Sequence, residues 1–239
     1  MAVIRRKPKP PLRYFLYVSD AKLDMLFEQI DPAQRRRISA EVKVDLKVAS
    51  MTLRQAEHTA ARTAKLRVVE RYIDAHHQVG TPAEPGSEFF RGQLVMQWGW
   101  LARSAHPDDS MPVVFFRGRD GADVVSLAGS RSHVLGENPE GHAMFGFSSA
   151  PSIVAAIRAH VSDLEGVPKH RWWGEEGDRP ISMTIRDHVS QAAWVRLDTP
   201  PQLLEFLAVP LGDGEVELPD GEAVHGVLGT PLYVAHARP

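Results

Sequence analysis

The chain has 239 residues, 43% of them hydrophobic and 24% charged, which is the composition of an ordinary globular protein able to bury a core. It contains no cysteine, and this excludes disulfides, thiolate catalysis, iron–sulfur clusters and cysteine-ligated zinc. The formal net charge is −2, but residues 1–71 are basic, with 16 Lys/Arg against 8 Asp/Glu. The densest cluster of basic residues, the three arginines at 35–37, is too small to indicate nucleic-acid binding.

Residues 1–12 are predicted to form a flexible basic arm, because they combine four basic residues with three prolines. No apolar stretch of signal-peptide length follows the basic residues. No run anywhere in the chain approaches the roughly 20 apolar residues of a membrane helix. We therefore expect a cytoplasmic protein that does not enter a membrane.

The next segments predict a strand, a helix and a second strand. Residues 14–18 are rich in aromatic and β-branched residues, as in a buried strand, and Ser19 can cap a helix that Asp31-Pro32 ends. The strand-to-helix junction at 19–22 could also bind an anion, but Asp20 would oppose it, so capping is favoured. Residues 41–48 alternate valine and leucine with charges, the pattern of an antiparallel strand with one face in water. A long helix with many small residues is then expected over about 52–78.

The middle of the chain predicts more strands. Residues 80–88 are rich in glycine and proline, so they form a loop and mark the place of any internal boundary. A long strand is expected over 89–101, followed by a polar loop at 102–111. Two short apolar runs then flank Arg119-Asp-Gly121, which is a signal for a hairpin turn.

The last third mixes helix and strand signals. A helix is predicted to begin near Pro151, and alternating apolar residues at 181–185 and 193–197 predict two strands. Thr199-Pro-Pro-Gln202 has the spacing of a capping box, so a short helix is expected over 203–208. A final turn and a strand near 231–235 close the chain.

Together these elements predict an α+β fold with a mixed, largely antiparallel sheet packed against helices, starting β-α-β. Strands and helices are interspersed but do not alternate regularly, which argues against a doubly wound parallel sheet. We expect residues 13–239 to form a single domain.

Four segments also carry a family resemblance: RYFLYVSDAKLDML at 13–26, LAGSRSHVLG at 127–136, LEFLA at 204–208 and LGTPLYVA at 228–235. They resemble an uncharacterised protein family found mainly in actinobacteria. The resemblance covers residues 13–236 and implies one structural unit in a bacterial cytoplasmic protein, tied to regulation, specialised metabolism or conflict systems. That family has no established activity, so the resemblance implies no catalytic residue.

The segment Gly129-Ser-Arg-Ser-His133 is a candidate ligand-binding loop. It follows a predicted strand, and its glycine allows close approach of the backbone to a ligand. Ser130 and Arg131 could hold an anion, and His133 could carry a proton near neutral pH. The segment lacks the P-loop pattern, and the alternative is a plain turn whose hydroxyls bond to the backbone.

Two pairs of tryptophans are further candidates. Trp98 and Trp100 lie two apart on a predicted strand and share a face, where they could stack on a flat ligand or belong to the core. Trp172 and Trp173 lie in a polar segment, where exposed rings are costly, so they could form a partner contact or anchor the loop.

Metal and hydrolase sites are not expected. No His-Glu-x-x-His or Gly-x-Ser-x-Gly motif is present, and histidines and glutamates at 133–142 have no geometry that would fix a metal. Asp187, His188 and Ser190 have the residue types of a triad, but on a strand Asp187 and His188 would point to opposite faces.

Two functions therefore stand side by side, with no cofactor implied by either. The first is a small-molecule-binding or regulatory module that uses Trp98, Trp100, Ser130, Arg131 and His133. The alternative is an enzyme acting on a small anionic metabolite with His133 as acid or base. A third hypothesis is a protein partner or homodimer contact through Trp172 and Trp173.

Overall fold

The computed structural model describes residues 13–42, 55–103, 106–136, 150–162 and 185–237, so the predicted arm at 1–12 lies outside it. Within these residues the chain forms seven strands and five α-helices. The strands are β1 (Tyr14–Val18), β2 (Val79–Gly80), β3 (Phe89–Arg103), β4 (His106–Asp120), β5 (Asp123–Ser130), β6 (Gln202–Glu217) and β7 (Ala223–His236). The helices are α1 (Asp20–Gln29), α2 (Pro32–Val42), α3 (Gln55–His76), α4 (Ala150–Ser162) and α5 (Ile185–Trp194), and a single 3-10 turn spans Arg131–His133.

Five of the strands close into a barrel in the order β3, β4, β5, β7, β6. Neighbours in this ring are antiparallel except β5 and β7, which are parallel. β1 pairs antiparallel with the end of β7, and β2 pairs parallel with the start of β3. The α+β class is therefore correct, whereas the expected plain sheet packed against helices is replaced by a sheet closed on itself, which removes most of its exposed edges.

Alternate residues of the barrel strands fill its interior, because successive side chains of a strand point to opposite faces. The interior cluster contains Tyr17, Phe90, Leu94, Met96, Val114, Phe116, Val125, Leu127, Leu204, Phe206 and Val227, all buried. Trp98 and Trp100 pack against this cluster and are themselves partly buried. Each large apolar side chain buried in this way contributes roughly 1.5–3 kcal/mol to folding.

Two groups of helices cover the outside of the barrel. Helices α1, α2 and α3 pack against the outer face of β1 and β7, in a cluster that includes Leu23, Ile38, Val69 and Tyr233. Helix α5 packs mainly against β6 and β7, and α4 packs against β3 and β4, in a cluster that includes Ile157, Ala193 and Phe115. None of the helices within the described ranges is both long and apolar enough to cross a membrane.

The region after α1 departs from the prediction. Asp31 ends α1 as expected, but it also begins α2, because its carboxylate accepts a hydrogen bond from the Ala33 amide at 2.8 Å with Pro32 at the first helical position. The strand predicted over 41–48 is wrong at its start, since residues 41 and 42 end α2; the rest of it lies outside the described residues.

Three further predictions are corrected. The polar loop at 102–111 is wrong because β3 and β4 continue into it, with Arg103 opposite His106. The strand predicted at 193–197 is wrong because residues 185–194 form a helix. The strand predicted at 181–185 is wrong at residue 185 for the same reason, and its residues 181–184 lie outside the described residues. The short helix at 203–208 is wrong because this segment is the first half of β6.

The capping-box threonine bonds to a neighbouring strand. The Thr199 hydroxyl donates to the Trp98 carbonyl at 2.6 Å and accepts from the Trp98 amide at 3.1 Å. The Gln97 side chain donates to the carbonyls of Leu197 and Thr199 at 2.9 and 2.7 Å. The segment before β6 is therefore fixed against β3, and no helix begins there.

Candidate functional site

The strand register brings two of the predicted site segments to one end of the barrel. Trp100 of β3 lies opposite Val114 of β4, which in turn lies opposite Gly129 of β5. The Gly129–His133 segment therefore begins in the same row as Trp100, although almost thirty residues separate them in sequence. We call the group Tyr17, Trp98, Trp100, Arg131 and His133 the barrel end.

The tryptophans and Arg131 are in direct contact at the barrel end. The Arg131 guanidinium carbon lies 4.4 Å from the centroid of the Trp100 ring, which is cation–π geometry. The Trp98 and Trp100 rings meet edge to face at 5.9 Å, and Trp98 stacks on Phe116 at 6.1 Å. The buried indole Nε1 of Trp98 has no hydrogen-bond partner among the described residues. A cation and two aromatic rings thus form one continuous surface.

The turn after β5 is fixed against β1. The Leu135 amide donates to the Leu16 carbonyl at 2.8 Å, and Tyr17 forms an isolated bridge with Val134. This pairing holds the His133 ring edge to face against the Tyr17 ring at 5.9 Å. At the start of the turn, the hydroxyls of Ser130 and Ser132 are 2.8 Å apart. The segment predicted as a binding loop is therefore the end of β5 followed by a 3-10 turn.

Gly129 makes room for the Tyr17 side chain. A Cβ atom on Gly129 would lie 2.3 Å from the Tyr17 hydroxyl, a distance that no real Cβ contact reaches. Burial raises the pKa of Tyr17, against smaller lowering influences of the Ser19 hydroxyl and the Ser130 backbone. Both neighbours are close, but neither reaches full hydrogen-bond geometry with the buried phenol oxygen.

The N-terminus of α1 adds charged groups beside the barrel end. The Asp20 carboxylate pairs with Arg62 of α3 at 2.5 Å. Ser19 stands at the N-cap position with its side chain fully buried, yet its hydroxyl makes no capping bond. The Lys22 ammonium is buried without a hydrogen-bond partner in the described part of the chain, and burial lowers its pKa to about 8.

His133 lies between these groups with 14% of its side chain exposed. Its Nδ1 is 3.9 Å from the nearer Asp20 oxygen. Burial lowers the pKa of His133; Asp20 partly offsets this, and the positive charges of Lys22 and Arg62 lower the pKa further. The imidazole is therefore neutral at pH 7, and it can accept a proton as pH falls.

The other sequence candidates do not join the barrel end. Trp172 and Trp173 lie outside the described residues. Asp187 and His188 lie in the first turn of α5, on the flank of the barrel covered by α4 and α5, and not on a strand as predicted. In the ranges that the structure describes, no three histidine or acidic side chains are grouped as metal ligands.

Sequence reasoning missed Tyr17 as a site residue, and at the junction 19–22, which contains Lys22, it favoured capping over an anion site. Tyr17 is one apolar residue among several in a buried strand, so nothing in its pattern distinguishes it. Lys22 carried one signal, because a lysine in the first turn of a helix opposes the helix dipole. That signal indicates a binding role only together with the burial of the ammonium group.

Comparison with known proteins gives a family and no activity. No curated protein and no solved structure matches the chain. One family, described as a family of unknown function (DUF7019), matches residues 13–238, nearly the same span as the resemblance found in the sequence. The chain therefore belongs to DUF7019, a family of unknown function.

Proposed function

We propose that this protein is a small-molecule-binding or regulatory module of the bacterial cytoplasm. Its ligand lies on the barrel end and contacts Trp98, Trp100, Ser130, Arg131 and His133. The observation that carries the proposal is the Arg131 guanidinium placed 4.4 Å over the Trp100 ring, with both side chains partly exposed.

This arrangement suits a flat ligand that carries negative charge. Aromatic faces bind planar groups by stacking, and an arginine beside them attracts an anion. Small-molecule sites generally combine apolar, aromatic walls with a few polar groups that orient the ligand. At the barrel end, the tryptophans supply the aromatic wall. Arg131 and the exposed Ser132 supply the polar groups, and the Ser132 hydroxyl lies 2.8 Å from that of the buried Ser130.

A panel of cytoplasmic metabolites tests the proposal, with melting temperature and tryptophan fluorescence as readouts. A ligand should raise the melting temperature of the wild type and change the emission of Trp98 and Trp100. Arg131→Gln should weaken its binding at least ten-fold. Arg119→Gln is the matched control, since Arg119 pairs with Glu222 on an exposed hairpin. Equal binding by both variants would refute this site.

An enzyme acting on a small anionic metabolite is the second candidate, and one observation favours it. His133 is neutral at pH 7 and partly exposed, with a carboxylate 3.9 Å from its Nδ1, which is the setting of a general base. For an enzyme, His133→Gln should abolish turnover of a ligand found in the panel and leave its binding within a few-fold. A binding module would show no turnover in either protein.

A further inference from the structure

We propose that the N-terminus of α1 binds the anionic group of the ligand, a phosphate or a carboxylate, through Tyr17, Ser19 and Lys22. The inference rests on the proposed function and deepens it, because it assigns the class of ligand and three further binding residues. The sequence offered the junction at residues 19–22 as an anion site but favoured capping by Ser19, and it gave Tyr17 no role in binding.

The first observation is an uncapped helix. The amides of the first turn of a helix have no partner within it, and a serine at the N-cap normally satisfies one of them. Ser19 occupies that position, but its hydroxyl does not bond to the helix. The ten-residue helix α1 therefore presents its positive end without the usual acceptor, as anion-binding helices do.

The second observation is a set of three donors without acceptors. The Tyr17 hydroxyl, the Ser19 hydroxyl and the Lys22 ammonium are all buried, and none has a partner with full hydrogen-bond geometry among the described residues, although the two hydroxyls lie close to each other. Tyr17 and Ser19 are fully buried as whole residues. Buried donors without partners are costly and rare in folded proteins. Three of them within six residues are explained if one acceptor-rich group satisfies them all.

The third observation is the local charge. Asp20 would repel an anion, but Arg62 neutralises it at 2.5 Å. Lys65, the next cation on α3, is paired with Asp24 at 2.6 Å. Lys22 has no such acidic partner among the described residues, so its charge is the one left over at this helix end. His133 lies beside the same helix end, with its Nδ1 3.9 Å from the Asp20 carboxylate.

The position of Tyr17 predicts how a ligand would lie. Tyr17 links the two halves of the site, because its ring contacts His133 and Phe116 while its hydroxyl is close to Ser19. Phe116 in turn stacks on Trp98. A ligand with its anionic group on α1 would therefore direct its planar part toward Trp98 and Trp100.

The test uses inorganic phosphate, phenyl phosphate and benzoate as probes, each against chloride at equal ionic strength. Melting temperature and calorimetric titration are measured for the wild type, Lys22→Met, Ser19→Ala and the control Lys65→Met. Circular dichroism establishes that each variant is folded. Phosphate and benzoate show which anion is preferred, and phenyl phosphate adds the planar group.

We expect at least one probe to stabilise the wild type beyond chloride, with binding at least ten-fold weaker in Lys22→Met, several-fold weaker in Ser19→Ala and unchanged in Lys65→Met. No stabilisation beyond chloride by any probe would overturn the inference. So would equal binding by Lys22→Met and wild type. If a metabolite binds with dependence on Arg131 but not on Lys22, the proposed function stands and the anion site on α1 fails.

Discussion

The hydroxyl of Tyr17 occupies the space where a side chain of Gly129 would begin: a Cβ on Gly129 would lie 2.3 Å from the phenol oxygen and 2.7 Å from the ring carbon that carries it. Tyr17 cannot move aside, since its ring is held between Phe116 and His133. The glycine of the candidate loop is therefore required by packing inside the barrel.

Gly129→Ala should destabilise the protein by roughly 1–3 kcal/mol, because overpacking a filled core forces side chains out of their preferred rotamers. Tyr17→Phe should restore part of the loss, since it removes the atom that the new Cβ meets first. Chemical denaturation of the two single variants and the double variant measures the coupling. Additive effects would show that the two residues do not collide.

Lys22→Met should stabilise the protein at pH 7 and weaken ligand binding. With a folded pKa of about 8 against an ordinary value of 10.5, the buried ammonium costs about 3 kcal/mol below pH 8. This cost disappears as pH rises toward 10.5, because the lysine is then neutral in both states. The advantage of Lys22→Met should therefore shrink between pH 8 and pH 10 in urea titrations; a constant advantage would contradict the lowered pKa.

Acid should destabilise the wild type through His133. Because the folded pKa lies below 6.5, the unfolded state binds the proton more readily, and the free energy of unfolding falls as pH drops through 6.5 toward the folded pKa. The slope from this one group is at most about 1.4 kcal/mol per pH unit. His133→Gln removes this contribution, so the difference in free energy of unfolding between wild type and variant should change between pH 7 and pH 5. If that difference in free energy of unfolding does not depend on pH, the lowered pKa of His133 is refuted.

Thr199→Val should cost about 1–2 kcal/mol, because it removes both hydrogen bonds between the Thr199 hydroxyl and the Trp98 backbone and leaves those polar groups unsatisfied. Thr199→Ser retains the hydroxyl and is the matched control. Thermal unfolding compares the variants, and tryptophan emission reports on the position of Trp98. Equal stability of the two variants would show that these bonds contribute little.

Much of the fold follows from local pattern, and the errors occur where pairing over long distances decides. The long strand from residue 89 and the turn at Gly121 were predicted correctly because they depend on adjacent residues. The capping-box pattern at Thr199 was misleading because β6 gains two strand partners, β3 and β7, which outweigh a local helix signal. Closure into a barrel depends on the same pairings, and no sequence window contains them.

The residues of the candidate site were likewise predictable from local sequence, whereas their proximity was not. Ser130, Arg131 and His133 were candidates by residue type, and Trp98 and Trp100 by their shared strand face. Their proximity follows from the register of β3, β4 and β5, which the sequence does not specify. Lys22 belongs to the junction at 19–22, where Asp20 argued against an anion site, and its burial without a hydrogen-bond partner in the described part of the chain makes it a candidate.

The most direct test of a ligand at the barrel end is an NMR titration with a ligand from the panel. It follows the signals of the tryptophan indole N–H groups, which single Trp→Phe variants assign. The indoles of Trp98 and Trp100 should shift. The indole of Trp194, the last residue of α5, donates to the Glu217 carbonyl at 2.9 Å and should not shift. Shifts at Trp194 with none at Trp98 or Trp100 would contradict the proposed site.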